Sequence, residues 1–272
     1  KEIRSSIEID SELETSTDTE VLFHFLKKTK FSKLEKLKGI FSIVFFDLKN
    51  NLVYCARDVT GTKPLYYLLN NDGFFFSSEA WFLYSLSQKK INHIAFNHYI
   101  NFGFVPTEDT LVKNVKKIRP SSIIKYSIIN NKLEELNYFD LEKNKLDKLP
   151  DSNIANEIIT NSIKSNLISD VKIGTFLSGG VDSSIVTLIG QQLNSSLESF
   201  TTLFKPEEEH QKFNVDYQYA KKLSNDYNIK LHTTDIDYTK NDLNDFYRIA
   251  EYFDEPVSNL NFLNSYWQSK QA

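Results

Sequence analysis

The sequence predicts two fold classes on one chain: an α+β first half built on antiparallel sheet, then an α/β half with a doubly wound parallel sheet. Three observations carry this. Residues 40–77 and 122–138 hold short β-rich runs separated by hairpin-type turns. Residues 151–253 alternate helical and strand patterns at lengths that require crossover connections. Between them, residues 139–150 (FDLEKNKLDKLP) are polar, carry a proline and fit neither rhythm. Domains are therefore expected at 1–138 and 151–272, with 139–150 as linker.

The elements follow in order. Thr17-Asp18-Thr19-Glu20 reads as a capping box opening a helix over 17–30, with Val21, Leu22, Phe25 and Leu26 at helical spacing. Strands are expected at 40–48, 52–57, 64–69 and 74–77, turning at Asn50-Asn51 and Asn71-Asp72-Gly73, as an antiparallel meander. Helices are expected at 79–86 and 95–102, and a further hairpin at 122–129 and 132–138 around Asn130-Asn131. In the second half, helices are expected at 151–168, 182–193, 215–228 and 240–253. Strands are expected there at 171–177, 198–204 and 230–237. The closing residues 267–272 read as a helix cut short. With Lys1 in place of an initiator methionine, and no methionine anywhere, the sequence reads as a fragment at both ends.

Composition narrows the function. Net charge is −4 and the pI about 5.8, which gives no basic footprint for nucleic acid. The single cysteine, Cys55, allows no intramolecular disulfide, and this fits a reducing, cytoplasmic setting. No apolar run reaches the ~18 residues of a membrane span. Five histidines (His24, His93, His98, His210, His232) show no metal-ligand spacing.

One motif carries chemistry. Residues 176–184 read Phe-Leu-Ser-Gly-Gly-Val-Asp-Ser-Ser, where the first parallel strand should meet the next helix. Ligands bind off the carboxyl ends of strands in open α/β sheets. A helix start there offers free N–H groups and the positive end of its dipole to a phosphate. Gly179 and Gly180 would let backbone curl around the anion. Ser178, Ser183 and Ser184 add hydroxyls, and Asp182 makes sense beside phosphates with Mg²⁺ between. The plain alternative is an ordinary strand–helix loop of small residues. Five fixed positions (SGGxDS) would arise by chance in on the order of a few chains in ten thousand. Neither GxxxxGK[ST] nor GxGxxG is present.

SGGVDSS resembles the pyrophosphate loop of the ATP-pyrophosphatase superfamily, which splits ATP between its α- and β-phosphates and adenylates a substrate oxygen. The first half selects among its members. Residues 57–67 (RDVTGTKPLYY), 76–80 (FSSEA), 39–47 (GIFSIVFFD) and 17–20 (TDTE) resemble segments of glutamine-hydrolysing asparagine synthetases, as does Phe253-Asp254-Glu255-Pro256. That resemblance implies part of an N-terminal-nucleophile-type glutaminase domain followed by part of an ATP-pyrophosphatase domain. It implies ATP, Mg²⁺, glutamine and aspartate as small-molecule ligands, no membrane or nucleic-acid partner, and it admits a homodimer.

Residue by residue, it implies that Leu177 and Thr202 contact adenosine and that Ser178, Gly179, Gly180, Val181, Asp182, Ser183 and Ser184 hold pyrophosphate. Asp182 would meet the magnesium. Asp18 would bind the ammonium group of glutamine, although aspartate is also common at a plain helix start. Arg57 and Asp58 are expected as a structural ion pair. Asp254 and Glu255 either line the carboxylate pocket or form a charged loop. No catalytic residue is expected in this chain, because the family's nucleophile is an N-terminal cysteine and Cys55 lies inside a strand. The family's other glutamine contacts would precede Lys1, and its second acidic loop would follow Ala272. Two alternatives stay open: a related carboxylate-adenylating synthetase with an internal amine as acceptor, and a nucleotide-binding fragment without turnover.

Overall fold

The computed structural model describes residues 13–15, 17–146, 148–238 and 244–272. The chain divides into two compact units, Lys1–Lys145 with Asp254–Pro256, and Leu146–Phe253 with Val257–Ala272.

In the first unit, helix α1 (Asp18–Thr29) starts where the capping signal places it, with the Thr17 hydroxyl accepting from the Glu20 N–H at 3.4 Å. The reciprocal half of the box is replaced. Glu20 reaches past Thr17 to the N–H groups of Glu14 (2.8 Å) and Thr15 (2.7 Å). Val21, Phe25 and Leu26 form the buried stripe of α1, and the helix ends at left-handed Lys30.

Strands β1 (Ser42–Asp47), β2 (Leu52–Arg57), β6 (Ser122–Ser127) and β7 (Lys132–Asn137) form one antiparallel sheet in the order β1-β2-β6-β7. Its two tight turns use left-handed Asn51 (φ 54°) and Asn131 (φ 49°), a conformation asparagine tolerates better than most residues. Strands β3 (Tyr66–Asn70), β4 (Gly73–Ser77) and β5 (Val115–Lys117) form a second sheet, β4-β3-β5. The expected four-strand meander is thus corrected. After β2 the chain leaves its sheet through the 58–65 loop, and the edge of β2 is taken by β6. β5 has only three residues (VKK), too few to show a period.

Alternation of side chains explains how these layers stack. Ile43, Ala56 and Ile123 face one way and pack with Phe25, Leu26, Leu34 and Leu37. Their neighbours Val53, Cys55, Ile124 and Tyr126 face the other way, against Leu65, Ile118, Phe74 and Phe76 of the second sheet and its flanks. Tyr66, Leu68 and Val115 then point outward onto Ala80 and Leu83 of α2 (Ala80–Leu86). The result is a helix–sheet–sheet–helix stack. Helix α3 (His93–Phe102) follows, opened by the Asn92 side chain and closed by left-handed Gly103.

The second unit holds α4 (Ser152–Asn166), β8 (Gly174–Phe176), α5 (Val181–Leu193), β9 (Glu198–Phe204), α6 (Val215–Asp226) and β10 (Leu231–Ile236). Its described residues end with α7 (Asn244–Ala250) and α8 (Asn261–Gln271). The strands pair in parallel as β10-β9-β8, with α5 and α6 as the crossovers. β8 is shorter than the run 171–177. The start of the helix expected at 240–253 lies outside the described residues. Ile236, Leu263 and Trp267 anchor a core that includes Phe204, Phe246 and Phe262. Among the described residues no helix is long and apolar enough to cross a membrane.

Candidate nucleotide-binding loop

The SGGVDSS loop lies off the carboxyl end of β8. Leu177 is fully buried and donates its N–H to Phe200 O at 2.8 Å, so the strand pairing continues one residue into the motif. From Ser178 the chain turns outward. Gly180 is the cap residue of α5 and makes no side-chain capping bond, so the first-turn N–H groups are not met by a cap side chain. Ser184 N–H closes the first helical turn onto Gly180 O at 3.0 Å. The hydroxyls of Ser178 and Ser183 lie 2.9 Å apart, and Ser183 also donates to Gly180 O at 3.1 Å. Two hydroxyls, uncapped N–H groups and a helix-dipole end thus converge on one exposed turn.

The two glycines are not equivalent. Gly179 has φ +89°, and a Cβ built on it would stand 2.2 Å from Asp216 O and 2.9 Å from Ala220 N. Only glycine fits there. Gly180 has φ −70° and ψ 162°, open to any residue, and a Cβ would meet only the Ser178 hydroxyl at 3.5 Å. The tight approach at Gly179 is to the backbone of α6, a contact that the sequence did not disclose. Small Ala220 inside a helix of large residues is the one local trace of it.

Asp182 and Val181 are exposed in the first turn of α5. Among the described residues no group of three or more His, Cys, Asp or Glu stands together as a metal site. A magnesium at Asp182 would take its remaining ligands from phosphate and water, the usual pattern for that ion beside nucleotides. The donor set fits that role. Thr202 lies on β9 opposite Thr234 of β10. Phe200 and Phe204 direct backbone bonds to the β8 side, so alternation sets the Thr202 backbone on that same side, beyond the last residue of β8.

The first unit places its expected residues differently. Asp18 is exposed at the first position of α1. Arg57 and Asp58 do not pair with each other as expected; each grips backbone instead. Arg57 donates to Lys63 O and Ile118 O, both at 2.7 Å, and to Gly61 O. Asp58 is fully buried and accepts from Thr62 N (2.9 Å), Lys63 N (3.1 Å), Phe41 N (3.4 Å) and the Thr60 hydroxyl (2.9 Å). Burial would raise its pKa, but these four bonds hold it below the usual carboxylate value. The 58–65 loop, with Gly61 left-handed, turns the N–H groups of Thr62 and Lys63 onto this carboxylate, and the Phe41 N–H joins them from just before β1. Cys55 is fully buried, and burial pushes its thiol up to about 12, which disfavours the thiolate form. Asp254 accepts from Ala80 N at 2.5 Å at the start of α2, and Glu255 pairs with Lys117 at 3.1 Å.

Comparison with known proteins agrees with both halves. Residues 1–139 match the family model described as glutamine amidotransferase domain, and residues 155–272 match that described as asparagine synthase. Glutamine-hydrolysing asparagine synthetase 1 of Bacillus subtilis is 31% identical, over 100% of this chain and 43% of that protein. A putative asparagine synthetase 2 of Methanocaldococcus jannaschii is 30% identical over 76% of this chain and 42% of its own length. Asparagine synthetase 3 of Bacillus subtilis is 32% identical over 65% and 30%. The chain thus spans less than half the length of these relatives. With an amidotransferase domain followed by a synthase domain in one sequence, the chain belongs to the family of glutamine-hydrolysing asparagine synthetases.

Proposed function

We propose that the enzyme containing this sequence makes asparagine from aspartate, with ATP split to AMP and pyrophosphate and ammonia drawn from glutamine. The observation that carries the reading is the α5 start, with its uncapped N–H groups and paired serine hydroxyls off the end of β8. A carboxylate is a poor electrophile. Attack of its oxygen on the α-phosphorus of ATP expels pyrophosphate and leaves a mixed anhydride. Ammonia then adds at the carbonyl carbon, AMP departs, and a proton is lost to give the amide.

In this reading Ser178, Gly179, Gly180, Val181, Ser183 and Ser184 hold the departing pyrophosphate, whose growing charge the helix start stabilises. Leu177 and Thr202 border the adenosine. Asp182 holds Mg²⁺, which would supply charge neutralisation at the phosphates. Asp18 binds the ammonium group of glutamine, and the glutaminase nucleophile is a residue other than Cys55. The family relationship and the loop geometry support these assignments.

Calorimetric titration with Mg²⁺ and a non-hydrolysable ATP analogue tests the loop. Gly180→Val should preserve the fold, because its backbone is ordinary, yet crowd the anion. Asp182→Ala should remove the metal contact. Both should weaken binding by tenfold or more, as loss of a charge-assisted contact of about 1.5–3 kcal/mol requires. Unchanged binding in both would refute the loop assignment.

A further inference from the structure

Strand β9 extends past its neighbour. β8 ends at Phe176, opposite Phe200. Lys205 N–H turns to Ile236 O of β10 at 2.8 Å, so Phe204 directs its own N–H and C=O to the other side, where β8 has already ended. Buried backbone groups need partners. The side chain of Asn214 supplies both: its Oδ1 accepts from Phe204 N at 2.9 Å, and its Nδ2 donates to Phe204 O at 3.0 Å. The amide stands in for one residue of a strand.

Asn214 is also the residue before α6, where an asparagine would ordinarily cap the helix. It makes no capping bond (φ −89°, ψ 3°), and it is only 5% exposed. Its side-chain polar atoms serve the strand, while its backbone C=O accepts from Gln218 N at 3.1 Å in the first turn of α6. This fixes the start of α6 relative to β9. The first turns of α6 are in turn the wall against which Gly179 lies, with Asp216 O and Ala220 N at distances that admit no Cβ.

We infer that Asn214 is a positioning residue for the 178–184 loop: it touches no ligand, and it sets the loop by fixing α6. Its consequence for nucleotide affinity rests on the proposed function, whereas its effect on loop order does not. The test keeps the two apart. Amide hydrogen exchange is measured by NMR on the full chain without ligand, for wild type, Asn214→Ala and Asn214→Asp. The aspartate variant keeps the acceptor for Phe204 N–H but loses the donor, and it is the milder change should the alanine variant fold poorly.

The amides of Gly180 and Ser184 should exchange about tenfold faster in both variants, as expected of a local opening. Those of β9 residues paired to β10 should hold. In a Gly179→Ala background, where the loop is already forced off α6, Asn214→Ala should add nothing. Loop exchange within twofold of wild type, acceleration spread evenly over the second unit, or effects that multiply in the double variant would each overturn the inference. Affinity for a Mg²⁺–ATP analogue should fall about tenfold alongside, the size expected for one displaced positioning contact. If the loop amides respond but the wild type binds no nucleotide, the positioning role stands and the nucleotide reading fails.

Discussion

Asp58 shows how one side chain can hold a loop that sequence alone presents as half of an ion pair. Its carboxylate gathers three backbone N–H groups and a threonine hydroxyl with no solvent exposure. Asp58→Asn keeps the volume but turns an NH₂ toward N–H donors, and should cost about 1–3 kcal/mol in urea unfolding. The folded pKa is depressed, so this stability is present above the unfolded value of about 4 and is lost as pH falls through the lower folded value. The gap between wild type and variant should therefore be full at pH 7 and shrink below pH 4. A gap that does not depend on pH would mean that the charge plays no part. The loop glycines give a second contrast. Gly179→Ala meets both a left-handed φ and the Asp216 carbonyl, and should lower stability by about 2 kcal/mol or more. Gly180→Ala meets neither and should stay within about 0.5 kcal/mol. Equal melting shifts for the two would contradict the geometry.

At the scale of elements, what the sequence discloses is what repeats or turns locally. The α1 stripe, the asparagine turns and the strand–helix alternation after residue 151 are all written within a few residues of where they act. What it hides is partner choice. β2 and β3 are consecutive and similarly apolar, yet belong to different sheets, because the loop between them is gathered by Asp58 and Arg57. The same limit applies at the candidate site. The motif itself is legible at 178–184. Its wall, the Asp216 and Ala220 backbone, lies more than thirty residues on and has no motif of its own. Asn214 resembles an ordinary cap until its bonds to Phe204 are seen. The linker reading can be tested at this scale. We propose that 139–150 separates two compact units, the second starting near Pro150; Leu141, Leu146 and Leu149 there are exposed. Limited proteolysis should cut within that stretch first. A first cut inside 42–77 or 174–204 would argue against the boundary.

Over the whole molecule, amidotransferase and synthase sequences follow one another on a single chain. That order is chemically useful if one part frees ammonia and the other consumes it, since a neutral, volatile nucleophile is otherwise diluted and protonated in bulk water. In the proposed reading ATP is split to pyrophosphate, which the serine hydroxyls and uncapped N–H groups at the α5 start would hold. The full-length enzyme, given ATP, Mg²⁺, aspartate and glutamine, should release asparagine and pyrophosphate in equal amounts. Asp182→Ala should depress both products together while glutamine hydrolysis continues, since its place is in the second unit alone. Cys55→Ser should leave glutamine hydrolysis intact, because a fully buried thiol pushed up to about 12 supplies no thiolate. Loss of hydrolysis in that variant, with folding unimpaired, would show the nucleophile to be misassigned. Pyrophosphate formed only with a different acid would move the enzyme to a sister reaction on the same scaffold. ADP in place of AMP would overturn the adenylation chemistry itself.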